Sequence, residues 1–373
     1  MALIIFREMV LPMKSNYIRR KILSLIKSFT KEEAAAVLLL AVSLLLTWCA
    51  RNVSGFAQQY SVTVYSFLKN TVGRACGLFP FSLSEAGLYL LSAACVYQLI
   101  HSFRQPLFLL KKAFFLSSLL FFIYTINCGI NYYRTPFSVE AGFSEKLAEG
   151  SSQRELYELC EFLVQKVNEN IPQETDPDRS LSYFQSMGQL GREAMSGLGN
   201  EFPQLGGWYP FPKPLINSRL LSVQQLTGIY SPFTIEANYN REIPFYNIPH
   251  TICHELSHLK GYMREDEANF IGYLACIGSE DTAFRYSGYL TGWVYAGNAL
   301  AQADFDGYRR LYGQLDPQAV QDLGENNAFW DRFKGKVAEA SAKMNDTYLK
   351  AHSQTDGIKS YGRMVDLMLT YYR

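Results

Sequence analysis

Long uncharged runs of apolar residues are concentrated in one part of the chain, residues 34–133. Three of these runs, 34–50, 86–103 and 113–133, have the length of a membrane-spanning helix, which needs about 17–25 predominantly apolar residues. Buried core helices are the alternative, but three such runs so close together exceed what soluble cores usually contain. We therefore predict a membrane domain of three transmembrane helices at 34–133, with the lipid bilayer as a partner.

Basic residues flank the three runs unevenly, which predicts an orientation. Seven Lys and Arg residues precede the first run, and Arg104, Lys111 and Lys112 lie between the second and third without any acidic residue. Since cytoplasmic segments carry an excess of Lys and Arg, residues 1–33 are predicted to be a cytoplasmic N-terminus. Residues 134–373 then form an extracytoplasmic domain of a multi-pass cell-membrane protein. The prediction depends on the second run, because losing that span would reverse the side.

The first run is expected to remain in the protein as a span. The basic segment before it is over thirty residues long, and no small-residue cleavage site follows the run. Both features disfavour a cleaved signal peptide.

From Arg134 onward, apolar residues recur at helical spacing with charged residues between them, which is typical of amphipathic helices. A short strand is predicted at 232–238, PFTIEAN, and an aromatic, proline-rich loop at 201–218. The predicted helices cover 152–171, 180–198, the histidine cluster after Pro249, 265–278, 283–303, 327–352 and 359–372. The predicted fold class is mainly α (α+β), with three transmembrane helices followed by a helical domain that has a small β-sheet.

Charge and cysteine usage exclude two classes of protein. The net charge is +1 and no basic stripe interleaved with aromatic residues occurs, so nucleic acid is not an expected partner. Seven scattered cysteines without a CxxC pair argue against a disulfide framework, although a single bridge stays open.

The histidines point to a metal site. The chain has five, and three of them, His250, His254 and His258, fall within nine residues. His254 and His258 belong to an H-E-x-x-H motif, and on a helix positions i and i+4 share one face, so both imidazoles can reach one zinc ion. Glu255 is offset from that face and so is not a ligand. It can flank the open coordination position and act as the general base that takes a proton from zinc-activated water. Two chance histidines are the alternative, which the scarcity of histidine disfavours.

A zinc ion that is held while one position stays open needs a third protein ligand. Gly261 can adopt positive φ and end the helix, after which a second helix opens at Glu265 and runs back past the first. Glu265 and Glu267 are both candidates for the ligand. Glu265 is favoured because it shares a face with small residues that allow close helix approach, namely Ala268, Asn269, Gly272 and Cys276.

Three neighbouring residues receive other roles in this interpretation. Asn269 is placed to hydrogen-bond a ligand histidine. Glu267 would be a solvated charge at the helix N-terminus. His250 would lie in the first helical turn, off the metal.

The motif HELSH with a downstream glutamate resembles the zincin superfamily of metallopeptidases, in the branch with two His ligands and one Glu ligand. The segment REDEAN, read as E-x-x-A-N, is similar to the segment that supplies the glutamate in several of those families. This resemblance implies that His254, His258 and Glu265 hold zinc. The spacing is shorter than in most members, and Arg264 stands where a metzincin has its last histidine.

The chain as a whole resembles a family of bacterial three-span membrane proteins of unknown function. The features that carry this resemblance are the three spans, SPFTIEAN, HELSH followed by REDEANF, and DGIKSYGRM. It implies a zincin-like domain and indicates no substrate.

Two further segments have open interpretations. The strand PFTIEAN would pair with a peptide substrate through its backbone or would be purely structural. Tyr361 and Arg363 would donate hydrogen bonds to an oxyanion or would only connect helices.

The sequence therefore predicts a membrane-anchored zinc metallopeptidase that binds one Zn²⁺ and acts on a peptide or protein. A non-catalytic membrane-bound module with a structural metal or a peptide-binding cleft is the alternative.

Overall fold

Three long apolar helices form one end of the molecule. The computed structural model describes residues 30–143, 147, 150–173, 178–351 and 362–373, and in it helices α1 (Lys31–Asn52), α2 (Leu83–Ser102) and α3 (Pro106–Asn127) are each long and apolar enough to cross a membrane. The prediction of three apolar helices is confirmed. The third predicted helix, 113–133, was placed too late in the chain. The helix starts at Pro106, since proline favours the first helical position, and residues 129–133 form a separate 3₁₀ turn.

Polar contacts define two ends of this helical bundle. Glu32 and Glu33, at the start of α1, pair with Lys112 and Lys111 of α3 at 2.7 and 2.9 Å. We call this the distal end. At the opposite end, the domain end, Arg51 Nε donates to the hydroxyl of Tyr133 at 2.7 Å. Of the predicted cytoplasmic segment 1–33, residues 1–29 lie outside the described residues.

The connection between α1 and α2, for which the sequence analysis predicted no helix, is helical. It runs over 56–77 and contains two π-helical stretches, Ser61–Tyr65 and Lys69–Gly73. Tyr65 is buried, and its hydroxyl donates to the carbonyl of Leu259 at 2.9 Å. The connection therefore packs against the remainder of the chain at the domain end.

Nine further helices of eight or more residues occur among the described residues after Tyr133. They are α4 (Gln153–Glu169), α5 (Leu181–Gly197), α6 (Asn247–Leu259), α7 (Glu265–Ile277), α8 (Thr282–Ala303), α9 (Phe305–Tyr312), α10 (Pro317–Asp331), α11 (Lys336–Ala351) and α12 (Gly362–Tyr372).

The predicted helix 327–352 was wrong, because the chain breaks between α10 and α11 around Gly335, whose φ is 149°. Of the predicted helix 359–372, residues 359–361 lie outside the described residues.

A three-stranded sheet has the order β1-β3-β2, with β1 (Lys213–Pro214) parallel and β2 (Gly228–Ser231) antiparallel to β3 (Glu236–Tyr239). The predicted strand 232–238 was placed too early. Residues 232–235 form the turn between β2 and β3, where Ile235 has a φ of 52°. The mainly α fold with a small sheet is confirmed.

The sheet is joined directly to the apolar helices. The buried carboxylate of Glu236 accepts hydrogen bonds from the backbone N–H groups of Leu83 and Ser84, at 3.2 and 2.8 Å, at the start of α2. At the end of α3, Asn127 Nδ2 donates to the carbonyl of Pro232 at 2.7 Å. Two of the three apolar helices therefore meet the sheet with their domain ends.

Candidate metal centre

Helix α6 presents the two motif histidines side by side. It is buried along almost its whole length, and the rings of His254 and His258 lie 4.6 Å apart between centroids and nearly perpendicular. The helix ends at Leu259, where Gly261 takes a φ of 99° and donates its N–H to the carbonyl of His258 at 2.8 Å. The turn then delivers the chain to α7, whose first residue is Glu265.

Glu265 completes a group of three donor atoms that all lie within 4.8 Å of one another. His254 Nε2 is 3.4 Å from one carboxylate oxygen of Glu265, and His258 Nε2 is 3.5 Å from the other. Around a tetrahedral zinc ion with bonds of about 2.0–2.1 Å, neighbouring donors are about 3.3–3.4 Å apart. The two His–Glu distances are close to this value, and the chemistry of the donors suits zinc.

Close packing of α7 on α6 holds Glu265 in place. A Cβ atom added at Gly272 would lie 3.1 Å from the backbone nitrogen of His254 and 3.3 Å from His250 Nε2. The small-residue face thus allows the two helices to approach as the sequence indicated.

The other ring nitrogens of the histidines also have defined surroundings. His258 Nδ1 lies 2.8 Å from the carbonyl of Tyr262, a contact that places a proton on Nδ1 and leaves the lone pair of Nε2 for a metal. Asn269 lies beside the His254 imidazole. His254 Nδ1 is buried and has no hydrogen-bond partner within the described chain.

The charges of the three groups favour a cation between them. Burial acts to raise the pKa of Glu265, but the adjacent His258 and His254 lower it to about 2, so this carboxylate is ionised. Burial lowers the pKa of His258 to about 4, so its imidazole is neutral near pH 7. At His254 burial acts in the same direction, but Glu265 and Glu255 outweigh it and raise the pKa.

Glu255 stands on the side of α6 that faces strand β2. Its carboxylate is buried and lies beside the backbone of Tyr230. A Cβ atom added at Gly228 would lie 2.5 Å from Glu255 Oε1, so the carboxylate occupies the space that this glycine leaves. Glu255 Oε2 is buried with no partner in the described part of the chain. Burial raises the pKa of Glu255 to about 8, and a divalent cation beside it would lower that pKa.

Glu267 lies apart from the three donors. Its carboxylate accepts a hydrogen bond from the backbone N–H of Phe137 at 2.8 Å, and the side chain is buried. The interpretation of Glu267 as a solvated helix charge was therefore wrong: it fastens the segment after α3 to the start of α7.

The remaining predicted residues also lie elsewhere. His250 Nε2 is 3.1 Å from the carbonyl of Asn269 and bridges α6 to α7. Arg363 lies 3.6 Å from the carboxylate of Asp266, which is consistent with a connecting role between helices. Tyr361 lies outside the described residues.

The three donors and Glu255 line a cleft of about 560 Å³, a size typical of ligand sites. Sequence reasoning missed most of its other walls. The edge strand β2 contributes Gly228, Ile229 and Tyr230, whereas the predicted segment PFTIEAN contributes Pro232, which lies in the turn after β2. The tyrosines from α3, from the 3₁₀ turn after it and from α11 were also missed, because no sequence period links them to the motif. They are Tyr124, Tyr132 and Tyr348.

All seven cysteines are free thiols in this structure. Cys253, which adjoins the motif, is fully buried and contacts Cys276 of α7. It does not belong to the group of donors.

Comparison with known proteins gives one match. A family model described as "Protein of unknown function (DUF3810)" matches residues 60–369. This match covers the second and third apolar helices, the sheet and the donor group. No curated protein and no solved structure matches the chain.

Proposed function

The chain belongs to the DUF3810 family, and we propose that it is a membrane-anchored zinc-dependent metallopeptidase with an extracytoplasmic catalytic domain. The observation that carries the proposal is the spacing of the donor atoms of His254, His258 and Glu265, with the Glu255 carboxylate beside them in an open cleft.

In this proposal His254 and His258 hold the metal through Nε2, and Glu265 holds it through its carboxylate. Zinc bound there supplies Lewis-acid chemistry, which polarises a water molecule and the carbonyl of the scissile peptide bond. The contact of His258 Nδ1 with the carbonyl of Tyr262 keeps the ring oriented. Asn269 would have the corresponding role for His254.

Glu255 is the general base. In its ionised form it takes a proton from the attacking water while the oxygen of that water bonds to the carbonyl carbon. The same carboxyl group then gives the proton to the leaving nitrogen as the peptide bond breaks. The carboxylate lies against β2 at the edge of the cleft, because it occupies the space that Gly228 leaves.

Strand β2 is suited to align a peptide. Within the described part of the chain it pairs with β3 on one side only, and peptides add to such exposed edges through main-chain hydrogen bonds. A peptide paired along β2 would pass directly beside Glu255. In this proposal β2, and not PFTIEAN, is the strand that pairs with the backbone of a peptide substrate.

A non-catalytic module with a structural metal is the second interpretation. Structural zinc sites usually have four protein ligands, whereas three donors converge within the described residues. The two nearby groups that would close the site are engaged elsewhere, since His250 contacts the Asn269 carbonyl and Cys253 contacts Cys276. This arrangement favours an open, catalytic site.

The test is Glu255→Gln in the full-length protein. We expect the variant to keep its zinc, because Glu255 is not a ligand, and to lose at least about 100-fold in peptide hydrolysis, because an amide cannot take the proton of the water. Metal analysis of the purified protein and a peptide-library cleavage assay measure the two quantities. Equal hydrolysis in variant and parent would contradict the mechanism. Loss of zinc together with hydrolysis would make Glu255 structural.

A further inference from the structure

The cleft lies where the apolar helices end, and this position bears on the class of substrate. We propose that the substrate is a polypeptide anchored in the same bilayer, which is cut in the extended segment where it leaves the membrane. The inference rests on the proposed peptidase function and adds the source of the substrate to it.

The level of the bilayer surface follows from the helices themselves. Helix α3 has 22 residues and is about 33 Å long, close to the roughly 30 Å of the hydrocarbon core. Exposed aromatic residues lie near the domain ends of α1 and α2, namely Trp48, Phe79 and Phe81. Since aromatic side chains collect at membrane interfaces, the surface of the bilayer passes through the domain ends of these helices.

Only one or two side chains separate the donor group from the helix end that lies at the bilayer surface. The hydroxyl of Tyr230 donates to the carbonyl of Asn127, the last residue of α3, at 3.0 Å, and the backbone of the same tyrosine lies beside the Glu255 carboxylate. On the other side, Cys128 Sγ lies 3.7 Å from the sulfur of Met263, two residues before Glu265. The end of the membrane helix is therefore part of the structure that supports the site.

An apolar path joins the membrane helix to the cleft. Tyr124 lies on α3 one turn before its end, and it lines the cleft together with Pro232 and Ile229. Phe233, beside Pro232 at the tip of the β2–β3 turn, is 47% exposed, and Ile229 is also exposed. Exposed apolar side chains around a cleft indicate contact with lipid or with an apolar partner. A substrate that emerges from the bilayer is such an apolar partner, because its chain reaches the cleft from the lipid side.

The experiment compares one cleavable sequence in three settings, using the full-length zinc-loaded protein in phosphatidylcholine vesicles. The sequence, found with a peptide library, is presented as a free peptide, behind a transmembrane anchor with a three-residue spacer, and behind the same anchor with a thirty-residue Gly/Ser spacer. Both anchored forms share the same surface concentration, so the spacer alone differs. A thirty-residue flexible spacer places the sequence about 30 Å away on average.

We expect the short-spacer substrate to be cut at least about ten-fold faster than the long-spacer substrate. Equal rates for the two anchored forms, or faster cleavage of the long-spacer form, would overturn the inference. Hydrolysis of the free peptide in that case would leave the proposed peptidase function intact. If no form is cut and zinc is not bound, the proposed function itself fails.

A matched pair of variants tests the apolar path. Phe233→Ser is expected to slow cleavage of the short-spacer substrate several-fold more than cleavage of the free peptide. Phe305→Ser changes a residue that is 60% exposed on α9, outside the cleft, and should leave both rates unchanged. The same effect from both variants would contradict the path.

Binding without turnover gives an independent measurement. In Glu255→Gln, a short-spacer substrate with a photoreactive group is expected to crosslink to the 228–233 segment. Crosslinks confined to the long-spacer substrate, or to surfaces outside the cleft, would overturn the inference even if no variant hydrolyses peptides.

Discussion

At the scale of single residues, the position of Glu255 depends on the missing side chain of Gly228. A Cβ atom there would lie 2.5 Å from Glu255 Oε1, 2.7 Å from its Cγ and 2.9 Å from the carbonyl of Asn238. The first two contacts involve a side chain that can move, while the third involves the backbone of the central strand. Gly228 is therefore needed for space, so that the base and the strand edge can meet.

We predict that Gly228→Ala retains zinc and lowers peptide hydrolysis at least about ten-fold, because the added methyl group displaces the base but touches no ligand. Metal analysis and the peptide cleavage assay measure the two effects. Gly324→Ala, on helix α10, is the matched control because no atom lies within 4 Å of its added Cβ. It should keep full activity and gain about 0.5–1 kcal/mol in stability, since alanine favours a helix. Full activity in Gly228→Ala would show that Glu255 is not held where we describe it.

Local signals predicted the helix geometry that brings the three donors together. The i, i+4 spacing of His254 and His258, the break at Gly261 and the small-residue face of the next helix are all encoded within twenty-odd residues. The structure has each of them, including the positive φ of Gly261 and the close approach at Gly272. Helix periodicity and glycine conformation act over short distances, so a sequence displays them directly.

Element boundaries were less predictable where two signals competed. Lys111 and Lys112 led the sequence analysis to start the third span too late, although Pro106 is a stronger helix start. The apolar pattern of PFTIEAN indicated a strand, but its first half is the turn. The roles of Glu265 and Glu267 were separable because the two side chains point to different faces of α7.

The separation of those two glutamates is a testable property of helix α7. We predict that Glu265→Ala lowers zinc affinity by at least about 100-fold, because two histidines alone hold the ion poorly. Glu267→Gln should keep the zinc, because its partner is the backbone of Phe137. Equilibrium dialysis at neutral pH measures both affinities. The amide is chosen for Glu267 because alanine would leave a buried N–H without a partner and destabilise the fold. Zinc lost from Glu267→Gln and kept in Glu265→Ala would contradict the assignment of the third ligand.

At the scale of the whole molecule, the cleft could not be derived from the sequence. Its walls come from the end of α3, from β2, from α8 and from α11, which are separated by up to more than two hundred residues along the chain. The contact between the hydroxyls of Tyr124 and Tyr348, at 2.9 Å, is an example. Such contacts depend on tertiary packing, which leaves no period or motif in either segment.

The arrangement of the three apolar helices predicts the side of the membrane on which the domain lies. Helix α2 begins at the sheet, where Glu236 holds its first residues, and α3 returns to the sheet at Asn127. The loop between them, which contains Arg104, is therefore at the distal end, together with the start of α1 and the Lys111 and Lys112 of α3 that pair with it. Since positive charge marks the cytoplasmic side, the domain end should face outward.

We predict that a membrane-impermeant maleimide labels Leu181→Cys in intact cells but leaves Lys31→Cys unlabelled, and that both are labelled after permeabilisation. Leu181 is 68% exposed on the domain, while Lys31 starts α1 at the distal end. The parent chain, treated in parallel, corrects for its own seven cysteines. Labelling of Lys31→Cys alone in intact cells would place the domain in the cytoplasm. The site would then draw its zinc and its substrates from that side, while its position at the bilayer surface would be unchanged, because that position follows from the contacts of α3 with the cleft.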